Sequence, residues 1–267
     1  MPPGYNPGMK PLRLFALLFA LLAVSNFLKP MGFSDDQGFV FFGRRLSSIP
    51  NLLAGWSFAA LLAAYASALW REKAEALPIG LAYAAYVTAN LFLFTLRMPE
   101  AEGDVRLFGL AYTVIALGGA WGAVALMLRG GYADLDPTPG RIVLRSFALL
   151  FASMSLSNLL KPFEYTDTVG FVLLGERLSG TPNTVAALVF SVFLAIYAWS
   201  IWTEKRRASS LGIAYAAYVI VNLVLWNFRK PEDSEAPLIF ALPYLVSAIG
   251  VSSGAAALLW KHRARLT

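Results

Sequence analysis

The chain has 267 residues, 58% of them hydrophobic and 14% charged, with 22 Lys and Arg against 16 Asp and Glu and a mean hydropathy of +0.60. A water-soluble domain holds about 25% charged residues, so this composition excludes an ordinary soluble fold and points to the bilayer as solvent. With 0 Cys and 1 His, disulfide frameworks, thiolate nucleophiles, metal sites built on Cys or paired His, and most Ser-His or Cys-His nucleophile pairs are excluded too.

The predicted elements come in two sets. A shift of 132 residues lays 13–129 on 145–261 without a gap, and about half of the paired positions are identical, which marks a tandem duplication. The first apolar stretch, 14–28, is short, follows Lys10 and Arg13, and offers Ala23, Val24 and Ser25 as a cleavage-like site, so it imitates a signal peptide. Its twin at 144–160 lies in mid-chain, where no signal peptide works, so both read as membrane spans. Each ends on a shared polar signature, Ser25-Asn26 and Lys29-Pro30, repeated as Ser157-Asn158 and Lys161-Pro162. GFVFFGRRLSSIPN follows, matched by GFVLLGERLSGTPN, and reads as a short non-spanning segment; Ser47 and Ser179 then cap the second helix, with Pro50 and Pro182 near its first turn.

The second stretch, 52–70, has its twin at 184–202. Asn51, Ala54, Phe58, Leu62 and Tyr65 persist as Asn183, Ala186, Phe190, Leu194 and Tyr197, a helical spacing that reads as one face packed on protein. The residues between them drifted, as lipid asks only for apolarity. The third stretch, 77–96 and 211–228, carries Tyr83, Tyr86, Asn90 and Arg97, repeated as Tyr215, Tyr218, Asn222 and Arg229 along one face. The fourth, 107–128 and 238–260, keeps GxxxG in register at Gly118 and Gly122 and at Gly250 and Gly254, where small residues let helices approach closely.

These stretches predict an all-α integral membrane protein with eight transmembrane helices. The first four-helix repeat spans 1–128, a cytoplasmic linker spans 129–141, and the second repeat spans 142–267. An even number of spans returns each repeat to its starting side, so the repeats are expected to lie parallel about a pseudo-twofold axis along the membrane normal. Lys and Arg are more numerous on the side of the termini and even loops, and most acids fall on the other, which predicts cytoplasmic termini in a plasma or bacterial inner membrane. The net charge of +6 is thereby explained by topology, and no nucleic acid is expected as partner.

The repeated polar residues then collect at the non-cytoplasmic interface. They are Asn26, Lys29, Arg45, Asn51, Asn90 and Arg97, with twins Asn158, Lys161, Arg177, Asn183, Asn222 and Arg229. Cations with amides suit an anion or a lipid headgroup. The competing reading is that the cations snorkel while the asparagines satisfy backbone groups of the non-spanning segment, and Asp35, Asp167, Glu100 or Glu232 neutralise the charge. No Asp, Glu, Lys, Arg or His falls at the centre of a span, which speaks against ion-coupled transport. His262 lies in the terminal KHRAR cluster, as a solvated tail residue does. The expectation is a non-enzymatic binding or accessory subunit with no catalytic residue, metal or cofactor, partnered by membrane lipids and by other membrane subunits or a homo-oligomer. The alternative is a passive channel or facilitator for a small neutral solute between the repeats, lined by Tyr83, Tyr86, Asn90 and their twins.

Overall fold

The computed structural model describes residues 9–32, 38–97, 104–136, 138, 140–163, 170–229 and 238–267, with the side chains of 9, 10, 32, 96, 97, 104–111 and 238–244 outside that description. It divides into two compact units, Met1–Ile142 and Val143–Thr267. In the first unit, α1 (Met9–Gly32) leads into a hairpin of β1 (Val40–Phe41) and β2 (Arg44–Arg45), followed by α2 (Ser48–Trp70), α3 (Ala76–Arg97) and α4 (Asp104–Arg129). In the second, α5 (Arg141–Leu160) ends in a 3-10 turn at Lys161–Phe163, and a hairpin of β3 (Val172–Leu173) and β4 (Glu176–Arg177) follows. Next come α6 (Gly180–Trp202), α7 (Arg207–Arg229) and α8 (Leu238–Lys261), and a 3-10 turn at Arg263–Arg265.

Seven of these helices, α1 to α7, are long and apolar enough to cross a bilayer among the described residues, and α8 contributes a shorter apolar stretch, Leu245–Lys261. The chain is embedded in a membrane: a helix satisfies its own backbone there, and about 20 apolar residues suffice to span the hydrocarbon. The first helix is longer than its apolar stretch suggested, running through Asn26, Lys29 and Pro30 to Gly32.

The face of α2 shared by both copies is the packed one. Ala54, Phe58, Leu62 and Tyr65 are all buried, whereas Trp56 and Ala60 between them are exposed. On α6, Asn183, Leu194 and Tyr197 are buried, and Leu188 and Val192 are exposed. In the first unit Phe19 of α1 lies 4.5 Å from the Tyr65 ring and edge-on to Tyr83 of α3 at 5.6 Å. In the second, Phe151 of α5 meets Tyr197 at 4.7 Å and Tyr215 of α7 edge-on at 5.7 Å. Lipid tails are as apolar as the side chains, so these contacts hold helices together by dispersion and ring geometry rather than by escape from water.

Close approach of α2 and α3 is built on a glycine. A Cβ at Gly80 would stand 2.5 Å from the Tyr65 hydroxyl, and one at Gly212 would stand 2.6 Å from that of Tyr197. Both hydroxyls are buried without a hydrogen-bond partner, pressed on the neighbouring backbone.

The residues between α4 and α5 are more structured than a solvated linker. Tyr132 is buried, and so is Asp136, whose carboxylate lies 3.4 Å from Arg141 and accepts from the Thr138 amide. A short Gly- and Pro-rich segment is thus pinned by a buried aromatic ring and by a half-buried charge pair. Ser47 and Ser179 stand at the N-caps of α2 and α6 in extended conformation, but neither hydroxyl makes a capping bond.

Candidate functional site

The segments read as non-spanning form tight hairpins. Val40 pairs with Arg45 and Phe41 with Arg44, while Val172 pairs with Arg177 and Leu173 with Glu176. Each turn has two residues at positive φ, Phe42 at 45° and Gly43 at 74°, then Leu174 at 49° and Gly175 at 79°, the mirror-image geometry that suits the twist of paired strands. Glycine is required at the second position for a further reason. A Cβ there would stand 2.6 Å from the Leu93 backbone carbon at Gly43, and 2.5 Å from that of Leu225 at Gly175.

Two strands of two residues cannot satisfy their own backbone, and the shared asparagines complete the pairing. Asn51 Oδ1 accepts from the Phe39 amide at 2.8 Å, and Asn183 Oδ1 accepts from the Phe171 amide at 2.7 Å. From α3, Asn90 accepts from the Gly43 amide at 2.8 Å and donates to the Val40 carbonyl at 3.1 Å, so its carboxamide bridges the base and the tip of the turn. Asn222 repeats this on Gly175 and Val172 at 3.1 and 3.2 Å. The hydroxyls of Tyr86 and Tyr218 donate to the same carbonyls, at 3.4 and 3.3 Å. Below the first hairpin Phe39 and Phe41 sink into an aromatic cluster with Phe58 and Tyr86, whose rings are 4.4 Å apart. Below the second, Phe171, Phe190 and Tyr218 do the same.

Four of the twelve sequence-predicted site residues, Asn51, Asn90, Asn183 and Asn222, therefore spend their amides on backbone groups. Asn26 is half-buried on α1, and Asn158 is buried on α5. In the second unit the cations gather around the hairpin. Arg45 and Arg177 sit on the second strand, exposed. Arg177 has its guanidinium 5.4 Å from the Trp226 ring centroid, and Lys161 lies 4.9 Å from that of Phe171. Arg229 donates to the Leu174 carbonyl at 3.1 Å and pairs with Glu176 at 2.9 Å. Lys29 is half-buried in the last turn of α1. Arg97 ends α3, but its side chain lies outside the described residues, as do Asp35, Asp167, Glu100 and Glu232.

Of the glycines read as packing sites, Gly122 and Gly254 face Phe15 and Phe147, with 3.6 and 3.7 Å left for a Cβ. Gly118 and Gly250 face no described atom within 4 Å. Trp226, which engages Arg177, did not stand out in the sequence, whereas Glu176, which engages Arg229, stands out there as a charge reversal against its twin Arg44. No group of three metal-ligating side chains occurs among the described residues. Comparison of the chain with protein-family models, with curated proteins and with solved structures returned no match.

Proposed function

We propose that this is a non-enzymatic binding or accessory membrane protein, whose two hairpins hold out cations to a phosphate-bearing anion or lipid headgroup. In this reading the chain crosses the membrane eight times as two parallel four-helix repeats about a pseudo-twofold axis along the membrane normal. Both termini are cytoplasmic, and the hairpins lie at the opposite interface.

The observation that carries the proposal is the recurrence, 132 residues apart, of one hydrogen-bond set that fixes a strained two-residue turn. Holding a positive-φ turn against a helix between membrane-spanning helices costs free energy, and an ordinary short connection needs no such cradle. What the cradle delivers is a fixed strand edge with a cation on it, Arg45 or Arg177, following a helix end that carries Lys29 or Lys161. The asparagines position the hairpin, and the ligand falls to the cations Lys29, Arg45, Arg97, Lys161, Arg177 and Arg229. The solute-pathway alternative is weakened because Tyr86, Asn90 and their twins turn their polar atoms onto their own hairpin.

The test is binding of the purified chain to vesicles containing phosphatidylglycerol, compared with a variant in which those six cations are Gln. Loss of one charge-assisted contact is worth about tenfold or more, so the variant is expected to lose binding. Unchanged binding by a variant that remains folded would overturn the proposal.

A further inference from the structure

The two hairpins differ by one charge reversal at matched positions: VFFGRR in the first reads VLLGER in the second, so Arg44 stands where Glu176 stands. Glu176 has an identifiable task. It takes the Arg229 guanidinium at 2.9 Å while the same Nη1 group caps the Leu174 carbonyl at the turn, so the second hairpin neutralises a cation of its own unit. The matched pair in the first unit is Arg44 and Arg97, two like charges, and the first hairpin holds no acid of its own. The neighbouring segments do not restore the balance. Between the first helix and the hairpin, Asp35 and Asp36 stand against Glu164 and Asp167; after the third helix, Glu100, Glu102 and Asp104 stand against Glu232, Asp233 and Glu235. The basic residue of that second segment is matched as well, Arg106 for Lys230. The copies thus differ at this end by the two charge units of the Arg-for-Glu exchange.

We infer that the first hairpin alone takes a phosphate group from outside the chain, and that Arg44 is the residue that makes it do so. The inference rests on the proposed headgroup reading and narrows it from both hairpins to the first: the duplication has left one binding copy and one self-neutralised copy. Arg44 follows the turn directly, with Arg45 next on the strand, so two basic residues stand in sequence behind a tip that the Asn90 carboxamide holds through the Gly43 amide and the Val40 carbonyl. A phosphate oxyanion supplies there what the Glu176 carboxylate supplies in the second unit. Guanidinium geometry matches both groups, so the same position accommodates either.

Reciprocal exchange tests this, because each variant installs an arrangement the molecule already carries. Arg44→Glu gives the first hairpin the pair of the second, and Glu176→Arg gives the second hairpin the charges of the first. Each full-length variant is titrated with nanodiscs containing phosphatidylglycerol and, separately, with inorganic phosphate, and its thermal melting is recorded. Arg44→Glu is expected to weaken phosphate-headgroup binding about tenfold or more with unchanged melting, and Glu176→Arg to add a second equivalent. Displacement of the lipid by millimolar inorganic phosphate identifies the free anion as sufficient; retention of the lipid identifies the headgroup in its membrane as the ligand. Wild-type binding that neither exchange alters overturns the asymmetry and leaves the shared-site reading standing. A wild-type chain that binds neither probe overturns both.

Discussion

One carboxamide closes each turn, and its loss is the most informative single change. Asn90→Ala leaves the Gly43 amide and one contact of the Val40 carbonyl without a partner in a region where water is scarce, a cost of about 1–3 kcal/mol. Asn222→Ala is expected to cost the same, measured as a fall in melting temperature in detergent. Gly80→Ala drives a methyl group onto the Tyr65 hydroxyl and Met127, with about 1–3 kcal/mol of overpacking expected. Since that hydroxyl has no hydrogen-bond partner, Tyr65→Phe alone is expected to be near neutral and to rescue Gly80→Ala in part; additive losses would contradict this. His262 is held below the ordinary histidine value of 6.5 by desolvation first and by Arg265 and Lys261 next. Its contribution to stability is therefore complete above that value and is lost as pH falls through the depressed one, which proton NMR of the single imidazole follows directly. At this scale the sequence marked the asparagines as shared but left their partners undecided between ligand and backbone, because a carboxamide serves both equally well.

At the scale of elements, the helices were legible because apolar runs and the shared face of α2 carry their own periodicity. The hairpins were not. Their turns are Phe-Gly and Leu-Gly rather than Asn-Gly, and two-residue strands leave no alternation to read. The Gly that does betray the turn, Gly43 or Gly175, is equally expected in any loop. The ends of α2 and α6 show the same economy. Each finishes with a residue in the left-handed region, Glu72 at φ 55° and Glu204 at 54°, while Lys73 and Lys205 donate back to Ala68 and Ser200. That is the usual geometry of a glycine-terminated helix, with glutamate in the glycine place. Glu72→Gly and Glu204→Gly are expected to raise stability by about 0.5–1 kcal/mol each, because the exposed Arg13 pair at 3.8 Å that Glu72 would give up is worth little. A lower melting temperature in either variant would show that the side chain does more than tolerate the turn.

At the scale of the molecule, composition alone placed the chain in a membrane, and comparing one half with the other picked out the residues that build the cradle. What a single chain compared with itself does not separate is a residue kept to hold the fold from one kept to hold a ligand. The hydrogen bonds make that separation for the asparagines; for the cations it falls to the reciprocal variants Arg44→Glu and Glu176→Arg. We propose above that the cationic hairpin edge holds a phosphate headgroup. Native mass spectrometry of the full chain released gently from its own membrane tests it most directly. The expected result is a chain carrying a retained anionic phospholipid, with that lipid lost when the six cations are replaced by Gln. A chain that arrives bare, or a cation-free variant that retains the same lipid, would contradict it.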